Sequence, residues 1–139
     1  MEIVINVCFG GFSLSDQAET LYAKKKGFEI FRYVQSKYEF IEGVNEYTKI
    51  KDGEGGMFSH TLTKDYGPVC NGYDDGTYWS SRDIERNDPA LVEVVRELRE
   101  EANGQCAELK IADIPKDVKW QIEEYDGLEH IAESHATWS

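Results

Sequence analysis

Ile3, Val4, Ile5 and Val7 form a short β-branched run that stops at Cys8-Phe9-Gly10-Gly11-Phe12-Ser13-Leu14-Ser15 and passes at once into a helical pattern. A run this short and this apolar suits a strand buried on both faces, which would make it a central strand. Ser15 stands where an N-cap belongs, Asp16 and Glu19 suit the positive end of a helix, and Lys24-Lys25-Lys26 suit its negative end before Gly27. The spacing predicts a helix over 16–26, buried through Ala18, Leu21 and Tyr22. Phe28 to Val34 then reads as a second strand, so the chain opens as β-α-β, with a right-handed crossover if the two strands are parallel.

From Gln35 to about Trp79 the pattern loosens into aromatic residues among polar ones. Turn signals at Asp52-Gly53-Glu54-Gly55-Gly56, Asn71-Gly72 and Asp75-Gly76 predict short strands and long loops. The next helix is sharply marked: Asp88 as N-cap, Pro89 in the first helical position, and Leu91, Val94, Val95, Leu98 and Ala102 at helical spacing until Asn103-Gly104. Strands are expected at Cys106–Ile111 and Val118–Ile122. Asp126-Gly127 predicts a two-residue hairpin turn that sets Tyr125 opposite Leu128 and Ile122 opposite Ile131. The expected fold is α+β, or α/β, in a single domain spanning 1–139: a mixed β-sheet, two main helices and a C-terminal β-hairpin.

Charge narrows the function classes. The chain of 139 residues has a formal net charge of −12, and the charge is uneven: residues 1–82 hold 12 acids and 9 bases, residues 83–139 hold 15 and 6. Such a field repels phosphate backbones, so nucleic acid is not an expected direct partner. It would steer a basic protein surface toward the second half, or keep the chain soluble. Cys8, Cys70 and Cys106 are odd in number and contain no C-x-x-C pair, which suits a reducing compartment. The N-terminus lacks a basic region, and its apolar run is too short for a signal peptide or a membrane span. A cytoplasmic protein with no membrane partner is expected.

The Gly10-Gly11 junction can present backbone N–H groups to an anion at the start of a helix. Gly10, Gly11, Phe12, Ser13 and Ser15 are therefore candidate ligand-binding residues. Tyr78, Trp79, Arg82 and Arg86 are candidates for a second wall, the arginines pairing with an anion while an aromatic ring stacks. A capped tight turn, and arginine–aspartate bridging around a helix cap, account for the same letters. In a C-terminal hairpin Glu129 and Glu133 point to one side and His130 to the other, and His130 and His135 lack the H-E-x-x-H spacing, so no metal site is assigned. His60 has no G-x-S-x-G partner. No catalytic residue and no cofactor is assigned.

The loop from Cys8 resembles that of the low-molecular-weight tyrosine phosphatases, which carry C-x5-R-S between a first strand and a helix. Here Leu14 stands in place of the arginine, and without a guanidinium there is no bidentate clamp for phosphoryl oxygens. A phosphatase-like enzyme is thus the third reading, behind two binding roles. The strings I-N-V-C-F-G-G-F-S-L-S, R-D-I-E-R-N-D-P-A-L-V-E-V-V and L-K-I-A-D-I-P-K-D-V-K-W-Q-I-E-E-Y-D-G-L-E-H-I-A-E-S-H-A-T-W resemble a family of short hypothetical proteins of tailed phages and prophages. That resemblance implies a small accessory protein in the cytoplasm of an infected bacterium, acting by binding. The first expectation is a small anionic, nucleotide-like ligand, sequestered as a host defence signal. The alternative is an acidic protein that covers a basic host surface and imitates nucleic acid. An exposed hairpin edge would also allow a homo-oligomer.

Overall fold

Ten strands and helices organise the described residues. The computed structural model describes residues 1–39, 44–51, 54, 59–104, 107–115 and 119–133. Cys106, Val118, Ser134, His135 and most of the expected Asp52–Gly56 turn lie outside the described residues. The elements are β1 (Glu2–Asn6), α1 (Asp16–Lys26), β2 (Phe31–Glu39), β3 (Val44–Ile50), β4 (Ser59–Leu62), β5 (Val69–Cys70), α2 (Pro89–Leu98), β6 (Leu109–Asp113), β7 (Trp120–Tyr125) and β8 (Leu128–Glu133). They pack as two compact units, Met1–Tyr22 with Ser81–Ser139, and Ala23–Ser80.

In the first unit β1 pairs antiparallel with β6, from Glu2 opposite Asp113 to Asn6 opposite Leu109. Ile3, Val4 and Ile5 are all buried, as a strand covered on both faces requires. The cover comes from α2 and from β8 of a separate sheet, not from further strands hydrogen-bonded beside it: β1 and β6 make a sheet of two. β1 is therefore not central, and it has no parallel partner in β2, which belongs to the other unit. All described ladders are antiparallel, so the single mixed sheet is replaced by three antiparallel ones within the expected α+β class.

Both helices begin where the caps predict. The Ser15 Oγ accepts from the Ala18 N–H at 3.1 Å and donates to the Glu101 carbonyl at 2.6 Å. Asp88 accepts from the Ala90 N–H at 2.9 Å, and its other oxygen takes the Tyr22 hydroxyl at 2.7 Å, tying α1 to α2. Burial and the Asp88 carboxylate push the Tyr22 hydroxyl well above its ordinary pKa. Leu91, Val92, Val94 and Val95 are buried. Each contributes about 1.5–3 kcal/mol against about 1 kcal/mol for the cap, so the buried stripe holds α2 and the cap sets its start. The helix ends earlier than its apolar spacing predicts: Arg99 turns to φ 54°, and Arg99–Ala102 tightens into a 3-10 turn.

The hairpin has the expected register, with Tyr125 opposite Leu128 and Ile122 opposite Ile131. Asp126 and Gly127 both take positive φ, 50° and 88°, the two-residue turn whose twist matches its strands.

In the second unit the sheet order is β4-β2-β3-β5, with a register shift in β2 between Gln35 and Lys37. Tyr33, Tyr47 and Leu62 form its core, flanked by Phe31, Tyr66, Cys70 and Tyr73. The region expected to hold short strands and long loops thus builds a sheet around aromatic side chains. The second strand starts at Phe31 instead of Phe28 because the Phe28 N–H still bonds the Ala23 carbonyl and closes α1. Among the described residues no helix is long and apolar enough to cross a membrane.

A Cβ at Gly127 would lie 2.1 Å from the Gly11 nitrogen and 2.7 Å from the Gly10 nitrogen, and the backbone already sits at positive φ. Gly127→Ala is therefore expected to destabilise the protein by about 3 kcal/mol. Urea unfolding measures it, and a loss below about 1 kcal/mol would show that the two loops are not packed this closely.

Candidate functional site

The loop after β1 is built on a buried polar side chain. Asn6 is fully buried, and its Nδ2 donates to the Cys8 and Gly127 carbonyls, each at 2.7 Å. Its Oδ1 accepts from the Glu108 N–H at 2.8 Å and the Cys8 N–H at 3.3 Å. One amide thereby joins the end of β1, the approach to β6 and the hairpin turn. Sequence reading missed Asn6, because a lone Asn after an apolar run gives no local signal for such a role.

Glu129 on β8 is 5% exposed and accepts from the Asn6 backbone N–H at 2.8 Å. Arg86 meets the same carboxylate with both arms, Nη1 to Oε1 at 2.6 Å and Nη2 to Oε2 at 2.8 Å. The guanidinium also lies over the Phe12 ring, 3.6 Å from its centroid. Two expected ligand residues, Phe12 and Arg86, are therefore brought together, around Glu129. This is a bidentate, stacked geometry that lysine could not reproduce.

The other loop residues face protein partners. The Gly10 N–H donates to the Asp126 carbonyl at 3.1 Å, and the Ser15 N–H to the Ala102 carbonyl at 2.9 Å. The Ser13 carbonyl accepts from Gly104, whose Cβ, were there one, would lie 2.2 Å from Ser13 Oγ. Gly11 lies against Gly127. Leu14, where the phosphatase loop carries its arginine, is 6% exposed and bridges Asn103. Arg82 is exposed on a 3-10 turn, Ser81–Asp83. Tyr78 and Trp79 belong to the second unit: Tyr78 bridges Leu62, and the Trp79 ring stands edge-on to Phe28 at 5.9 Å.

Cys8 opens onto an open cleft of about 700 Å³ between the end of α2 and β6. Val95, Leu109 and Ile111 supply apolar surface; Arg96, Arg99, Glu100 and Glu108 supply charge. Arg96 is paired with Glu2. Arg99 is exposed, and its guanidinium has no ion pair or hydrogen-bond partner among the described residues. Neither arginine stands out in the sequence, since both fall within an ordinary amphipathic helical pattern. The positive φ of Arg99 has no letter to announce it; glycine or asparagine would have.

The second unit holds its own titratable cluster. The His60 Nδ1 lies 2.9 Å from the Tyr73 hydroxyl, and the ring stands edge-on to Tyr47 and Tyr73. Burial lowers the His60 pKa below its ordinary 6.5 and raises that of Tyr73. Lys49 and Asp65 form an exposed ion pair, which holds the Asp65 carboxyl below its usual range. In the first unit, across the hairpin, His130 Nε2 lies 3.0 Å from the Glu123 carboxylate. No group of three or more His, Cys, Asp or Glu that could hold a metal occurs among the described residues.

Comparison with family models, with curated proteins and with solved structures finds no match.

Two outcomes follow from this geometry. Glu129→Gln leaves the Arg86 cation half-buried without its counter-charge and is expected to cost about 3–5 kcal/mol in urea unfolding; a cost below about 1 kcal/mol would mean that water screens the pair. His60, depressed in the folded state, takes up a proton more readily when the chain unfolds. Stability is then full above about pH 6.5 and falls as pH drops below it. Unfolding midpoints at about pH 7.5 and about pH 5.5 test this, with His60→Gln expected to show a smaller drop than the wild type.

Proposed function

We propose that this protein acts by binding, and that it holds a small anionic, nucleotide-like ligand in the cleft beside Cys8. The observation that carries the reading is Arg99, an exposed guanidinium without a partner among the described residues, lining a cleft of about 700 Å³. Arg99 would pair with a phosphate or carboxylate through two parallel N–H donors. Val95, Leu109 and Ile111 would cover a ring, and the Glu100 and Glu108 carboxylates would accept from its amino groups. The resemblance to short phage and prophage proteins supports a setting in which affinity alone suffices, because sequestering a host signal requires no turnover.

The test is titration calorimetry of the purified chain with a panel of nucleoside mono-, di- and triphosphates and cyclic dinucleotides. Mass spectrometry of the ligand follows, after denaturation of the complex. At least one nucleotide is expected to bind and to be recovered unchanged, with Arg99→Ala weakening it by about 10-fold or more. Affinity unchanged in Arg99→Ala would overturn the site. Recovery of a cleaved product that disappears in Cys8→Ser would favour an enzyme.

A further inference from the structure

Arg96 and Arg99 line the same cleft, and only Arg96 is already paired. The register of β1 on β6 explains how. Glu2 stands opposite Asp113 and Val4 opposite Ile111, so Glu2 shares the sheet face of Ile111 and Leu109, the face on which Val95 and Arg96 close the cleft. Its carboxylate meets the Arg96 guanidinium in the last turn of α2. Both side chains remain well exposed, 56% for Arg96 and 40% for Glu2, and a pair so open to water contributes little to stability. It is a contact that another anion can replace.

Arg99 is placed differently. Its N–H still bonds the Val95 carbonyl, but the backbone then turns to φ 54° and ψ −122°, a conformation that glycine adopts freely and arginine only at a cost. Among the described residues nothing takes up the guanidinium. The strained position therefore serves neither the helix nor a described bond within the protein. What it supplies is a second cation in the cleft, three residues from the first.

Resting on the reading of this cleft as an anion site, we infer that its ligand carries two adjacent anionic groups, as a nucleoside diphosphate does, and that Glu2 is a built-in competitor for one of them. One phosphate meets Arg99. The other reaches Arg96 by displacing the Glu2 carboxylate, so one set of anionic oxygens replaces another on the same guanidinium. A ligand with a single anionic group engages Arg99 and leaves Glu2 in place. The apparent affinity for the diphosphate is then its intrinsic affinity reduced by the fraction of molecules in which Arg96 has left Glu2.

The experiment follows amide chemical shifts of the isotope-labelled chain during titration with inorganic pyrophosphate and, separately, with inorganic phosphate. Pyrophosphate is expected to bind the more tightly, and Glu2→Gln to tighten it by about two- to fivefold, the factor that an exposed ion pair supplies. Phosphate binding is expected to change less. Asp113→Asn removes the same charge directly opposite Glu2, from a carboxylate that pairs with the Met1 amine and not with Arg96, and is expected to have the smaller effect on pyrophosphate. In an Arg96→Ala background the effect of Glu2→Gln is expected to vanish. Dispersed amide spectra verify that each variant is folded. Pyrophosphate affinity left unchanged by Glu2→Gln, or raised equally by Asp113→Asn, or raised by Glu2→Gln without Arg96, would overturn the inference. So would a Glu2→Gln protein that binds no pyrophosphate at about 20 mM. None of these results removes Arg99 from the nucleotide site. If Arg99→Ala binds both anions as the wild type does, the cleft is misassigned and both readings fall together.

Discussion

The buried contact of Glu129 with Arg86 and the Asn6 N–H is the constraint around which the first unit is arranged. A two-stranded sheet leaves backbone groups along its outer edges with no ladder to satisfy them, and burying such groups unpaired costs as much as losing a hydrogen bond. Here the Asn6 N–H finds a carboxylate 123 positions away in place of a neighbouring strand. The hairpin is thereby docked on β1 through side chains, which explains why β7 and β8 form a separate sheet although β8 packs on β1. Arg86 supplies the countercharge that makes a buried carboxylate tolerable.

What the letters announced was local. Ser15, Asp88 and Pro89 mark helix starts because capping is settled within a few residues, and Asp126-Gly127 marks the hairpin register because only such residues adopt that turn readily. The pairing of β1 with β6 was not legible: its partner lies more than 100 positions on, and a two-face-buried strand reads the same whether helix or sheet covers it. The sheet of the second unit was obscured because Tyr33 and Tyr47 carry its core with Leu62, and Tyr66 and Tyr73 flank it. Tyrosines among Lys, Glu and Thr look half-polar until their rings are seen to be buried together.

The candidate site shows the same division. Arg86 has the letters of a ligand clamp, and nothing nearby in sequence reveals that its carboxylate comes from β8. Ser13, Ser15 and Gly10 have the letters of an anion cradle, yet their described bonds bind the loop to the segment after α2 and to the hairpin turn. Leu14 makes the contrast plain: the position that would carry a phosphate-binding guanidinium is turned into the interior. Arg99 carries the reverse lesson, since its backbone leaves the helix one turn before the apolar spacing ends.

The wide separation between Asn6 and Glu129 also bears on how the chain assembles as it is made. β1 leaves the ribosome more than 100 residues ahead of both its β6 partner and the Glu129 carboxylate. The second unit, by contrast, draws its whole sheet from residues 31–70, so its pairings are complete while β1 still waits. Non-local closure of this kind is slow, and it exposes an apolar strand in the interval. Ile3, Val4 and Ile5 are thus the segment that a chaperone would meet on the nascent chain.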